Sequence, residues 1–290
     1  MSPRHDDAEH AQAAHPDAAE PTVSVLLTVY HGNTASQLGQ ALDSLRRQTR
    51  PADEIIIVID GPIGQDLQQV IATFTRQVPV ATVLSRGKNE GAGIASNAGL
   101  AQVSSMWLAR LDADDIAYPA RLEKQLRYLA AHPDIDVLGT AMEEFTGDVN
   151  NVAGVRRLPE THADLARYIR INSPINNPSV MMRTAAVRAV GGYRNVPKME
   201  DYDLYARLMA AGYRFHNLYE PLTYFRLDPA VFTRRTGTDV LRSEVSMQRT
   251  LAQLGLVSWP RAIANLIART GYRLLPKRPL QRIYSRLFHR

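Results

Sequence analysis

The stretch Val23-Ser24-Val25-Leu26-Leu27-Thr28-Val29-Tyr30 is a short β-branched apolar run that stops at His31-Gly32-Asn33. Such a run, ended by turn formers, predicts a buried strand. Downstream, Leu38, Leu42 and Leu45 recur at i, i+4 and i+7, the spacing of one helical face, and Thr49-Arg50-Pro51 closes that helix. A second buried strand follows in Glu54-Ile55-Ile56-Ile57-Val58-Ile59-Asp60 and ends at Gly61-Pro62. Strand, helix and strand in this order make a βαβ unit. A helix over about 65–76, a strand at Ala81–Leu84, a helix over about 91–101 and a strand at Met106–Leu111 continue the alternation. The expected fold class is therefore α/β, a mostly parallel sheet covered by helices on both faces.

From about residue 120 the alternation weakens. A helix over 119–131 opens with Pro119 in its first turn, and Val137-Leu138-Gly139-Thr140 follows. Then come a polar stretch over 146–162 and helices near 162–171, 184–190 and 201–211, an α+β pattern. The expected organisation has four parts: a disordered tail over 1–21, an α/β half over 22–118, a second half over 119–244 and a basic helical arm over 245–290.

Composition narrows the chemistry. The 290 residues contain no cysteine, which excludes disulfide frameworks, thiolate metal sites and cysteine nucleophiles. Net charge is +5, unevenly distributed: residues 1–21 carry −4, residues 245–290 carry nine Arg or Lys and no acid, and residues 22–244 sum to zero. A neutral body with a basic arm argues against a domain that tracks a nucleic-acid backbone, so no nucleic-acid partner is expected. The tail lacks an apolar segment of signal-peptide type, and no apolar run approaches the roughly 20 residues that span a bilayer. His5, His10 and His15 fall five apart, which does not bring them to one helical face.

Ligands of open α/β sheets bind outside the carboxyl ends of the strands. The strongest signal there is Leu111-Asp112-Ala113-Asp114-Asp115, three carboxylates in four residues after an apolar strand. Strand periodicity turns Asp112 and Asp114 to one side, where their repulsion is costly without a cation. An oxygen-only, incomplete shell suits Mg²⁺ or Mn²⁺ and leaves room for phosphate oxygens. Taken alone, the segment also reads as an acidic turn capping the helix that starts near Pro119.

The order of signals decides between these. It runs from Thr28-Val29-Tyr30 through Gln48-Thr49, Asp60, Asn89-Glu90-Gly91, Asn97-Ala98-Gly99 and Leu111–Asp115 to Glu200-Asp201-Tyr202-Asp203-Leu204. The set resembles family 2 glycosyltransferases of the GT-A fold, bacterial exopolysaccharide and lipopolysaccharide enzymes among them, over about residues 22–228. The resemblance implies an enzyme that moves a sugar from a nucleotide-sugar, a UDP-sugar being expected, to a saccharide or lipid-linked saccharide acceptor. Thr28, Tyr30, Asp60, Arg86, Asn97 and Asp112 are its implied donor-binding residues. Asp114 and Asp112 are implied to hold the Mn²⁺ or Mg²⁺, and Asp201 is the implied catalytic base, with Glu200 beside it. Asn176, Asn177 and Tyr193 fall in the segment that helps form the acceptor side. Asp203 reads instead as a helix N-terminal charge. The chain departs from the commonest pattern at Ile59-Asp60-Gly61-Pro62, at Ser96 before Asn97, and at Asp228 where a histidine is frequent.

Arg86, Lys88 and Arg226 are candidates to assist the departing diphosphate. In the arm, Leu280, Ile283, Tyr284, Leu287 and Phe288 form one apolar stripe, and Trp259, Ile263, Leu266 and Ile267 another, with arginines between them. Both predict contact with an anionic membrane surface, hence an enzyme peripheral on the cytoplasmic membrane face, against the alternative that the stripes pack on the body. The missing G-x-G-x-x-G, P-loop, H-E-x-x-H and G-x-S-x-G motifs remove dehydrogenase, NTPase, zinc protease and serine hydrolase readings. A nucleotidyltransferase acting on a sugar phosphate and a non-catalytic nucleotide-sugar-binding protein remain as rivals.

Overall fold

The computed structural model describes residues 21–227 and 238–273. Residues 1–20, Asp228 and the predicted stripe Leu280–Phe288 lie outside the described residues. The first half contains β1 (Val23–Val29), α1 (Ala35–Arg46), β2 (Glu54–Ile59), α2 (Gln65–Gln77), β3 (Ala81–Ser85), α3 (Ala92–Leu100) and β4 (Trp107–Arg110). β5 (Ile116–Ala117), α4 (Arg121–Ala131), β6 (Val137–Phe145), β7 (Val152–Arg156), α5 (His162–Tyr168), β8 (Met181–Arg183) and α6 (Thr184–Ala189) follow. The last elements are α7 (Glu200–Ala210), β9 (Phe215–Arg226), α8 (Thr238–Gln253) and α9 (Trp259–Arg273).

One sheet runs through the molecule in the order β3-β2-β1-β4-β8-β6-β9-β5, with β7 paired to β6. β1 is parallel to β2 on one side and to β4 on the other, and β2 is parallel to β3. The polarity mixes beyond β4: β8 is antiparallel to β4 and β6, while β9 is parallel to β6. Successive strands leave β1 in opposite directions, so the point of reversal falls between β1 and β4, where a crevice opens at the strand ends.

β1 is buried along almost its whole length because both faces are covered. Val25 and Leu27 join a core with Leu38, Leu42 and Leu45 of α1, Ile71 and Phe74 of α2 and Leu126 of α4. Leu26 points the other way, into a core with Ala95 of α3, Val187 of α6, Leu204 and Leu208 of α7 and Met247 and Leu251 of α8. The two-residue strand period thus splits one apolar run between two cores.

The structure departs from the sequence expectation in three places. The stretch expected to be polar over 146–162 holds β7, which forms a hairpin with β6. No strand was expected at 215–226, yet β9 pairs with β6 over nearly its full length, with register shifts that absorb Pro221. α4 begins at Arg121, so Pro119 precedes the helix, and its carbonyl accepts from Thr49 N.

Glu54 ties three segments together at the start of β2. Its carboxylate accepts from Ser104 N at 3.0 Å and from the hydroxyls of Ser24 and Ser104. Burial opposes the charge, but these hydrogen bonds from Ser104 and Ser24 outweigh it and hold the group below its ordinary 4.5. A depressed carboxylate stabilises the folded state above its unfolded pKa, and that contribution disappears as pH falls through the folded value. Glu54→Gln is expected to cost about 1.5 kcal/mol at pH 7, by the usual worth of hydrogen bonds to charge. Urea titrations should show the difference from the parent shrinking below pH 4.5.

Candidate active site

The acidic segment leaves β4 at the crevice. Leu111 N still bonds Leu26 O at 3.3 Å, after which the chain turns and Asp115 N bonds Asp112 O at 3.1 Å. Leu111, Ala113 and Asp115 are buried while Asp112 and Asp114 are partly open. Solvent reaches 37% of the Asp112 side chain, yet protein crowds the carboxylate from below. That burial, with repulsion from Asp114 and Asp201 and against the pull of Arg110 and Arg121, pushes its pKa up to about 6. Asp115 is pushed well above the ordinary carboxylate range by burial and by its two acidic neighbours.

Three arginines support this cluster, and only one of them was considered from sequence. Arg110, on β4 and facing the same side as Asp112, is buried with Nη2 3.8 Å from Asp112 Oδ1. Its Nε and Nη1 make no hydrogen bond, and its guanidinium lies 5.7 Å from the centre of the Tyr193 ring. Arg121 is buried beneath, donating to Arg110 O at 2.7 Å and Gln125 Oε1 at 3.1 Å, and burial lowers its pKa to about 9. Arg226, at the end of β9, donates from its main-chain N to Asp115 Oδ1 at 2.8 Å, from Nε to Asp114 O at 2.9 Å and from Nη1 to Gly147 O at 3.1 Å. Its guanidinium also reaches Gln40 on α1 at 2.5 Å. The guanidinium expected to assist a leaving group is engaged in clamping the acidic loop.

The second acidic pair arrives from the far end of the chain. Glu200 and Asp201 open α7, where the helix dipole favours negative charge. Burial and the charge of Asp201 push Glu200 up to about 7. Asp201 acts in turn on Asp112 and Tyr193, so the two acidic motifs share one electrostatic field. Asp203 is buried and pairs with Arg207 at 2.7 Å. Arg207 passes that anchor on to Val190 O and Gly192 O, at 2.6 and 2.7 Å. Gly192 has φ +66°, and a Cβ there would lie 2.1 Å from Asn97 Oδ1. Asp203 therefore supports the turn that carries Tyr193.

The remaining predicted residues divide by position. Thr28 and Tyr30 lie partly exposed at the end of β1, with Tyr30 N bonded to Asn33 Oδ1 at 2.9 Å. Asp60 is buried, and its carboxylate accepts from Glu90 N at 3.0 Å and Gly91 N at 2.9 Å, which folds the 86–91 loop over the end of β2. Gly61 at φ +85° permits this, since a Cβ would meet Asn89 N at 2.5 Å. Arg86 pairs with Glu90 and lies 4.0 Å from Asp60, while Lys88 is exposed beside Glu90. Asn97 Oδ1 accepts from Tyr193 N at 3.0 Å, a bond that joins the two halves across the crevice. Tyr193 is buried, its hydroxyl makes no hydrogen bond, and burial pushes its pKa up to about 12. Asn176 spends its amide on Thr140 O at 2.9 Å and Asn177 Oδ1 accepts from Tyr205 OH at 2.9 Å, so both brace main chain and helix.

Among the described residues no three carboxylate or imidazole side chains converge as a complete metal cage. Asp112 and Asp114 offer oxygen ligands only, partly open and mutually repelling, which fits a hard divalent cation whose shell is completed by a ligand.

A mixed sheet whose parallel half carries acidic residues at its switch point makes an α/β fold of the GT-A type. The sequence model described as "Glycosyl transferase family 2" matches residues 24–190, and the chain belongs to this family of glycosyltransferases. It is 34% identical over 263 residues to the amylovoran biosynthesis glycosyltransferase AmsE of Erwinia amylovora, covering 91% of this chain and 98% of the relative. It is 30% identical over 270 residues to the UDP-Gal:alpha-D-GlcNAc-diphosphoundecaprenol beta-1,3-galactosyltransferase of Escherichia coli, covering 93% and 98%. Among solved structures, S. aureus TarS 1-349 in complex with UDP shares the fold at TM-score 0.64 and 19% identity, covering 91% of this chain and 78% of that one.

The clamp can be tested directly. Arg226→Met should destabilise the protein by about 2 kcal/mol, the scale of lost charged hydrogen bonds. Arg226→Lys should recover less than half of this, because a single ammonium cannot reproduce a planar fork that bonds three partners. Chemical unfolding measures both.

Proposed function

We propose that the chain is an inverting, divalent-metal-dependent glycosyltransferase that moves a sugar from a UDP-sugar to a lipid-linked saccharide during surface polysaccharide synthesis. The observation that carries this reading is the common field of Asp112 and Asp114 with Glu200 and Asp201, motifs almost ninety residues apart in sequence. The Escherichia coli relative, whose name specifies a UDP-sugar donor and a diphosphoundecaprenol-linked acceptor, supports the donor and acceptor classes.

Asp112 and Asp114 would hold Mn²⁺ or Mg²⁺, which when bound supplies counter-charge to the departing nucleoside diphosphate. Thr28, Tyr30 and the 86–91 loop organised by Asp60 line the donor side. Asp201 takes the proton of the acceptor hydroxyl as that oxygen bonds the anomeric carbon and the carbon–diphosphate bond breaks. A single displacement of this kind inverts the anomeric centre, and a positioned base contributes roughly 10²- to 10⁴-fold. Glu200, whose carboxyl is pushed up toward neutrality by burial and Asp201, orients the acceptor. Arg110 keeps a fixed positive charge beneath the acids.

Asp201→Asn should keep metal-dependent UDP binding and lose at least 100-fold in transfer, by the usual worth of a general base. Asp114→Ala should weaken that binding. Transfer untouched by both changes would sink the assignment, and release of pyrophosphate instead of a nucleoside diphosphate would favour the nucleotidyltransferase.

We further propose that the enzyme works at the cytoplasmic membrane face, with the 245–290 segment toward anionic lipid. No helix among the described residues is long and apolar enough to cross a membrane. α9 docks on the body through Ala262 and Asn265, and Asn265 donates to Arg170 O at 2.8 Å. Arg269 pairs with Glu244 on α8, so that arginine faces the body and not a headgroup. Trp259, Ile263 and Ile267, one stripe at i, i+4 and i+8, remain 55%, 58% and 68% exposed. Exposed apolar side chains beside an acid-free basic segment support an interfacial helix. Changing all three to serine should abolish co-sedimentation with phosphatidylglycerol vesicles at low salt while leaving the thermal midpoint unchanged. Equal sedimentation would remove the membrane reading.

A further inference from the structure

Among the described residues the buried arginines are Arg110, Arg121, Arg207 and Arg226. Three of them grip main-chain carbonyls: Arg121 those of Arg110 and Val180, Arg207 those of Val190 and Gly192, and Arg226 those of Asp114 and Gly147. Arg110 does not share this pattern. Its Nε and Nη1 are shut off from solvent without a hydrogen bond, and Nη2 stands 3.8 Å from Asp112 Oδ1, an ion pair too long to be a hydrogen bond. Burying a guanidinium with unpaired donors is costly, and no bracing of main chain offsets that cost here. What Arg110 contributes is charge. Of the charged groups around Asp112 it acts most strongly, ahead of Asp114, Asp201 and Arg121. The buried Tyr193 ring, 5.7 Å from the guanidinium, offers it a π face and no counter-charge.

Two carboxylates such as Asp112 and Asp114 would by themselves draw a hard divalent ion out of solution. A fixed guanidinium beside one of them cancels part of that attraction and repels the ion, and the low local dielectric enlarges both effects. A diphosphate reverses the balance, because its oxygens restore negative charge and complete the ion's shell. We propose that Arg110 sets the order of loading: it is a built-in counter-cation that keeps the affinity of Asp112 and Asp114 for a free divalent ion low until a nucleoside diphosphate is present. This role rests on the reading of Asp112 and Asp114 as the metal ligands. Ion and nucleotide then bind cooperatively, and each raises the affinity of the other by the same factor.

The test is calorimetric titration of the full chain at fixed pH, first with Mn²⁺ alone and then with UDP in Mn²⁺ or in EDTA. Arg110→Gln and Arg110→Met should each bind Mn²⁺ alone about tenfold more tightly than the parent, within the usual range of coupling between sites. Arg110→Lys, which keeps the charge, should bind it as the parent does. Adding Asp114→Ala to Arg110→Gln should cancel the gain, which locates the ion at the acidic pair. Misfolding cannot imitate a gain that a second substitution removes, and neither neutral variant orphans a main-chain carbonyl. Mn²⁺ bound by the parent as tightly as by both neutral variants would overturn the proposal. UDP affinity in EDTA should be nearly the same in parent and Arg110→Gln; a loss of about tenfold there would make Arg110 a direct phosphate ligand and would also overturn it. Failure of the metal reading has a different signature, a parent whose UDP affinity is equal in Mn²⁺ and in EDTA, and it would remove this role as well.

Discussion

Five carboxylates gathered at one crevice repel one another, and much of the architecture around Asp112 counters that repulsion. Arg110, Arg121 and Arg226 come from three different elements, β4, α4 and β9, and are all buried. Each therefore adds positive charge where the effective dielectric is low and its influence on the acids is large. Burial of charge is costly without partners, which explains why Arg121 and Arg226 are also tied to main-chain carbonyls. The resulting acids are poised between ionised and neutral forms, with Asp112 near 6 and Glu200 near 7. A divalent cation is the natural complement of such a cluster.

The same network couples the two halves of the molecule. Arg226 joins the last strand to the acidic loop and to α1, and Asn97 joins α3 to the Gly192–Tyr193 turn. Asp203 and Arg207 hold that turn from α7. A half built on parallel strands and a half built on mixed strands thus share supports. Several residues that resemble family ligands, Asp60, Asn97 and Asn176 among them, use their polar atoms to shape the crevice. Their importance to the site lies in where they hold the loops.

The basic charge of the chain has an equally local meaning. The body is neutral by composition, and the surplus belongs to the C-terminal segment, whose α9 turns Asn265 and Arg269 inward and three large apolar side chains outward. Spacing alone grouped Leu266 with Trp259, Ile263 and Ile267. The docked helix half-buries Leu266 instead, because the face chosen for the body is the one whose amide and guanidinium find carbonyl partners, Arg170 O and Ile171 O, in the turn after α5.

The order of strands and helices through β4 was legible in the chain itself, because parallel strands buried on both faces need continuous apolar runs and the covering helices need regular apolar spacing. The Asp112–Asp115 and Glu200–Asp201 motifs were legible for a related reason: acids beside apolar runs are conspicuous. β7 and β9 were not legible, since a strand interrupted by Glu220-Pro221 gains its pairing from β6 and not from local preference. Arg110 inside an apolar strand and Arg226 at the end of β9 carried no local sign of their roles. Local sequence determined the elements through β4 and which residues carry charge. Tertiary structure decided which charges meet, because a field between groups almost ninety residues apart exists only once the chain between them has folded.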